Sequence, residues 1–202
     1  MSLDNAERRS AWILGVIAAL EGGWVLMNLC GTGWRFVRYL GFAHGQMGTA
    51  AGWVASAVVT AVFVTVAMRL PSVRENLFRP SFLKVLGLAV AVSAGVLEEV
   101  MFRRWPMNYL QERGWGVVVQ IASSGLLFGL LHGVWGLMGK SIRAAIGATV
   151  ATGFLGVMLA IVFVLAGRSL APCIVAHFLI NALIEPGLVL AATRGEMAGR
   201  PA

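Results

Sequence analysis

Two adjacent glutamates, Glu98 and Glu99, close the apolar run FLKVLGLAVAVSAGVL, and an arginine follows at Arg103. In a helix Glu99 and Arg103 are one turn apart and share a face, whereas Glu98 is turned about 100° away. The spacing predicts a buried Glu99–Arg103 ion pair and leaves the Glu98 carboxylate free. Insertion scales put a charged residue at a membrane-helix centre at roughly 2.5–3.5 kcal/mol, so such groups face a protein interior or a water-filled cavity. The competing reading ends the helix near Val100 and makes EEVMFRRW an interfacial cluster of snorkelling side chains.

The next apolar segment, WGVVVQIASSGLLFGLLHGVWGLM, favours the first reading. Ser124, Phe128 and His132 recur at four-residue intervals, and Gly125, Gly129 and Gly133 form a second row one residue on. A glycine row lets a neighbouring backbone approach closely. If the glutamate helix runs through PMNYLQ and turns at Arg113–Gly114, Glu98 lies about fifteen residues before the corner and His132 about eighteen after it, a depth mismatch of roughly 5 Å. Carboxylate and imidazole are therefore within reach of each other. A lone intramembrane histidine is more often a helix–helix hydrogen-bonding residue, but one at the depth of a free carboxylate is a candidate acid–base group. In SLAPCIVAHFLINALIEPG, His177 and Asn181 are four apart, project from one face, and both can donate hydrogen bonds. Interhelical hydrogen bonds in membranes average only about 0.6 kcal/mol, weak reason to keep three polar constellations.

The elements that carry these residues follow from composition. With 202 residues, 58% hydrophobic, 12% charged and a mean hydropathy of +0.81, the chain has too little polar surface to coat a soluble globule. It reads as all-α, a polytopic membrane helix bundle with about six transmembrane helices near 11–30, 49–69, 82–102, 115–138, 144–167 and 169–192, the last interrupted by Pro186. The net charge of +7 comes from sixteen basic residues scattered singly, which suits lipid headgroups and not nucleic acid. Six spans put ten Lys/Arg on the side of the termini, counting Arg69 and Lys84 at the flanks, against six opposite, a bias that sets both termini in the cytoplasm. Ala11–Cys30 reads as a retained span and not a cleaved signal. Cys30 and Cys173 have no metal or redox spacing and read as buried apolar thiols. Glu21, beside Gly22–Gly23, receives no role, and Glu185–Pro186 marks a bend.

Taken in order, Glu98-Glu99-x3-Arg103, Phe128-x3-His132 and His177-x3-Asn181 resemble the CPBP family, which groups CAAX prenyl endopeptidases with bacterial relatives of the Abi and bacteriocin-processing type. Each pattern alone is weak; the ordered set on three apolar helices is specific. The resemblance covers about residues 82–190 and divides the chain into accessory N-terminal helices and loop (1–81), a CPBP-like catalytic membrane core (82–192) and a short polar tail (193–202). It implies a glutamic intramembrane protease acting on membrane-associated peptides or proteins. In it Glu98 and His132 activate water, Glu99, Arg103 and Phe128 organise the site, and His177 with Asn181 stabilise the oxyanion. The Ala/Gly/Arg-rich style of the chain points to a bacterial inner membrane. Where relatives often carry a small glycine after the motif arginine, this chain has Arg104, then Trp105 and Pro106.

The residues themselves fit that chemistry. Peptide hydrolysis needs a nucleophilic water, a base and donors for the oxyanion, none of which requires a cofactor. Glu98, His132 and His177 also form a two-histidine, one-carboxylate zinc set, but the HExxH spacing is missing and the ion-free mechanism ranks above it. Ser123 and Ser124 lie two turns from His132, and Cys173 one turn before His177 reads as a packed thiol and not a nucleophile. The alternative function is a non-catalytic immunity or assembly factor that binds a membrane peptide in the same cavity. A proton-coupled transporter ranks lower for want of an inverted repeat. Prenylated tails, C-terminal sorting helices and bacteriocin leaders are equally open as substrates.

Overall fold

The structure is a computed structural model that describes residues 3–134 and 141–198, and no strand occurs among the described residues. A long α1 (Asn5–Thr32) is followed by a short α2 (Trp34–Tyr39), α3 (Ala50–Ala67) and a short α4 (Pro71–Asn76). Next, α5 (Phe82–Glu99) continues through a π-helical turn (Val100–Arg104) into α6 (Trp105–Glu112), and α7 (Val117–His132) returns. The chain closes with α8 (Ile142–Leu165), α9 (Ala171–Ile184), α10 (Gly187–Arg194) and a 3-10 turn at Glu196–Ala198.

Polar caps start the long apolar helices. The Asp4 carboxylate accepts from the Glu7 amide at 2.7 Å while the Glu7 side chain accepts from the Asp4 amide at 3.0 Å, a reciprocal capping box. Thr49, Ser81 and Ser141 each accept the amide three residues on, opening α3, α5 and α8. The corner expected at Arg113–Gly114 lies between α6 and α7, where Gly114 has φ +77°, a left-handed value that suits glycine. The bend expected at Glu185–Pro186 is there too, with α9 and α10 at 54°. Lys84 of α5 reaches this break and donates to the carbonyls of Ala182, Leu183 and Glu185 at 2.6–3.1 Å, capping the end of α9 with a positive charge.

Asn5–Thr32, Ala50–Ala67, Phe82–Glu112 and Ile142–Leu165 are long and apolar enough to cross a membrane, and α9 with α10 makes a fifth if the bent pair is one span. The α7 helix has only 16 residues, and positions 135–138 of the expected 115–138 span lie outside the described residues. The start of α1 meets the end of α10: Ser10 and Thr193 hydroxyls are 3.2 Å apart, and Arg194 lies 3.6 Å from Asp4. Val54, Val58, Val62 and Val66 form an exposed stripe on α3, as do Ile142, Ile146, Val150 and Phe154 on α8. Such one-turn repeats of exposed aliphatics are faces for lipid, not water. Cys30 belongs to this exterior; it is exposed near the end of α1 and is not the buried thiol expected, because in a bilayer apolar character does not separate core from lipid face.

Two contacts set the frame around the polar helices. Inserted beside α1, α5 also packs against α9, while α7 lies along α8. The glycine row makes the second contact close: a Cβ on Gly129 would stand 2.5 Å from the Thr149 carbonyl and 2.8 Å from Gly153 Cα, and one on Gly156 would stand 2.9 Å from Gly125 Cα and Phe128 Cβ. The α8 backbone is thereby brought against the helix that carries Phe128 and His132. Gly129→Val should destabilise the fold by about 1–3 kcal/mol or more through overpacking. Gly147→Ala, at an open position, should leave thermal unfolding in detergent unchanged or slightly later.

Candidate active site

Pro106 is the local origin of the bend in register that aims the site. It has no N–H for the Phe102 carbonyl four residues back, and its ring crowds that carbonyl. The helix yields by a π turn, in which the Trp105 amide bonds the Val100 carbonyl five residues back. The Phe102 carbonyl instead accepts from Ser124 Oγ at 2.8 Å. The helix therefore does not end near Val100 in an interfacial cluster; it continues with Val100, Phe102 and Arg103 buried.

Beneath this turn sits a buried clamp. Glu99 and Arg103 are both inaccessible, and Glu99 Oε1 accepts from Arg103 Nη1 at 2.9 Å and from His177 Nδ1 at 2.7 Å. Arg103 Nη2 also donates to the Gly156 carbonyl at 3.2 Å, so the clamp ties α5, α8 and α9 together. The guanidinium lies over the Phe128 ring, 4.6 Å from its centre. Phe128 is the hub of the apolar wall. It stacks on His132 at 4.3 Å and meets His177 and Phe102 edge-on at 5.8 and 5.1 Å.

Glu98 faces the other way. Its Oε2 lies 3.7 Å from His132 Nε2 and 3.6 Å from His177 Nε2, and it is buried with no hydrogen-bond partner among the described residues. The expected depth mismatch between Glu98 and His132 does not keep them apart. His132 Nδ1 is 2.8 Å from the Phe128 carbonyl and donates to it, so a neutral ring turns its lone-pair nitrogen to Glu98. The side chains of Glu98 and His132 keep 14% and 17% exposure against 3% for His177, so the free carboxylate and His132 are the reachable members.

Asn181 lies one turn beyond His177 and is half-buried, and its amide makes no hydrogen bond to another described residue. Five of the expected residues, Glu99, Arg103, Phe128, His132 and His177, form one set linked by hydrogen bonds or ring contacts, Glu98 faces both imidazoles, and Asn181 lies one turn beyond His177. Cys173 is buried, with its thiol directed to the Leu159 carbonyl at 3.5 Å. Sequence reasoning gave Glu21 no role, yet its carboxylate accepts from Ser93 Oγ at 3.2 Å, on the helix that carries Glu98. An acid in the middle of a span was the available signal; its partner helix was not. No group of three or more His, Cys, Asp or Glu among the described residues has the geometry to hold a metal ion.

Residues 80–183 match the family described as type II CAAX prenyl endopeptidase Rce1-like. The match covers just over half of the chain and contains all of the candidate residues from Glu98 to Asn181. No curated protein and no solved structure matches.

The geometry separates the two glutamates by stability. Glu99→Gln strips Arg103 of its counter-charge and should lower stability by about 3–5 kcal/mol, read as a large fall in melting temperature in detergent. Glu98→Gln should melt close to the parent, because a neutral amide occupies the same space. Equal shifts for both variants would contradict this division.

Proposed function

The chain belongs to the type II CAAX prenyl endopeptidase Rce1-like family, and from that premise we propose that it hydrolyses membrane-associated protein substrates with a water activated by Glu98 and His132. Membership makes it an integral membrane endopeptidase with a membrane-associated protein as substrate. The finer assignment rests on one observation: a single buried oxygen of Glu98 facing two imidazole nitrogens at 3.6 and 3.7 Å. Those separations exceed a hydrogen bond, and polar groups so spaced commonly share a water.

In the proposed reaction, water held by Glu98 and His132 attacks the scissile carbonyl carbon and gives one proton to Glu98. The carbonyl electron pair moves onto oxygen, and His177 Nε2 and the Asn181 amide donate to that oxyanion. Because His177 Nδ1–H stays on Glu99, the ring carries both protons when it donates from Nε2. On collapse the proton on Glu98 passes to the leaving nitrogen, the C–N bond breaks, and the second water hydrogen leaves with the new carboxyl group. Base and donors are side chains, so the reaction as proposed needs no cofactor. We orient both termini to the cytoplasm of a bacterial inner membrane, supported by the excess of Lys/Arg on their side.

Glu98→Gln should abolish cleavage of a membrane peptide by the purified protein. Chelation followed by elemental analysis should leave activity intact with substoichiometric zinc; activity that tracks removal and return of one metal equivalent would overturn the ion-free mechanism. Asn181→Ala probes the oxyanion site more cleanly than His177→Ala, because His177 also holds Glu99. It should lower turnover about 10²–10³-fold with little change in substrate affinity. If the parent binds the peptide without cleaving it, and Asn181→Ala weakens that binding, the role is immunity or assembly and not proteolysis.

A further inference from the structure

Four arginines that stand far apart in the sequence are gathered at one end of the bundle. Arg35, Arg38, Arg104 and Arg168 line a cavity of about 750 Å³ formed by α2, the segment before α3 and the α8–α9 connection, and no acidic residue lines it. Among the described residues none of the four has a salt-bridge partner. Two of them are held in place. Arg168 Nε donates to Asn108 Oδ1 at 2.9 Å and Nη1 to Gln120 Oε1 at 3.0 Å, while Nη2 is buried without a hydrogen-bond partner among the described residues. Its backbone sits at φ +65°, an uncommon conformation for a residue with a side chain and one found where surrounding structure enforces it. Arg104 donates to the Arg168 carbonyl at 3.4 Å and lies over the Tyr39 ring at 4.7 Å. Burial, and after it the charge of Arg104, hold Arg168 below the ordinary arginine value. Arg35 and Arg38 are exposed at the mouth.

Four like charges around one cavity repel one another, and an anion between them removes that penalty. One guanidinium fork fills the two oxygens of a carboxylate; several forks suit the larger tetrahedral phosphate. The head group of a phospholipid at that face presents such a phosphate. Trp34, Trp105 and Leu165, each next in sequence to a lining residue, are 61%, 52% and 45% exposed and provide apolar surface for acyl chains.

We propose that this cavity is a phosphate site that holds the head group of an anionic phospholipid, with Arg104 and Arg168 as its fixed floor and Arg35 and Arg38 closing over it. The site is separate from Glu98 and its partners, and its test does not use cleavage. The full chain in detergent is titrated with short-chain phosphatidylglycerol, short-chain phosphatidylcholine or inorganic phosphate, and the melting temperature is followed, since a ligand of the folded state raises it. Phosphatidylglycerol should raise it saturably, and phosphatidylcholine, whose cation the arginines repel, should need at least about tenfold more. Arg35→Gln/Arg38→Gln should raise the half-saturating phosphatidylglycerol concentration about tenfold or more, whereas Arg74→Gln/Arg79→Gln, at exposed positions elsewhere, should not change it. Arg168→Gln should act like the first pair; if it does not fold, the exposed pair still decides. An equal shift with inorganic phosphate would make free phosphate the ligand and overturn the head-group assignment. No shift, or a shift untouched by Arg35→Gln/Arg38→Gln, would overturn the phosphate site itself.

Discussion

One oxygen atom organises the centre of this bundle. Glu99 Oε1 accepts from both Arg103 and His177, with every participant buried, and Arg103 extends the link to the α8 backbone. A carboxylate and a guanidinium buried in a membrane protein are tolerated only as a bonded set, because either one alone carries a desolvation penalty that nothing offsets. Commitment of Glu99 to that set is what leaves its neighbour Glu98 available. The two carboxylates are identical in chemistry and adjacent in sequence, and the roughly 100° turn between them gives one a structural partner and the other a pair of imidazoles.

The rest of the fold can be understood as what this arrangement requires. The carbonyl of Gly156 reaches Arg103 because α7 and α8 meet along small residues, where side chains would force them apart. Phe128 then closes the apolar side: its ring is in contact with the guanidinium and both imidazoles, and its carbonyl takes the His132 Nδ1–H, which fixes the tautomer of that ring. Pro106 and the π turn belong to the same device. A helix that loses one backbone donor must leave a carbonyl seeking a partner, and Ser124 of α7 supplies it, fastening the glutamate helix to the histidine helix just beyond the site.

Much of this is written locally in the chain. The Glu99–Arg103 contact, the corner at Gly114, the break at Pro186 and the glycine row itself, though not the helix it meets, depend on residues within a turn or two of one another, where spacing and backbone chemistry suffice. Contacts between distant segments are not legible in that way. The His177–Glu99 bond joins residues 78 positions apart, and nothing at either end announces the other. Glu21 with Ser93 and the four arginines of the cavity are hidden for the same reason: each partner lies on another segment of the chain. The exposure of Cys30 was illegible for a different reason, since lipid accepts the same apolar residues that a core does. Pro106 was visible, but whether a proline kinks, ends or rewinds a helix is decided by the partner that takes up its orphaned carbonyl.

The central claim, that Glu99 and Arg103 form one buried unit on which the site is built, is tested most directly by a double-mutant cycle in bicelles with Glu99→Gln, Arg103→Met and the two combined. Each single change should destabilise by several kcal/mol, and the combined variant should lose much less than their sum, a coupling of roughly 2 kcal/mol or more, because no uncompensated charge remains buried. Losses that add to within about 0.5 kcal/mol would mean that the two residues act independently, and the account of the site would be wrong.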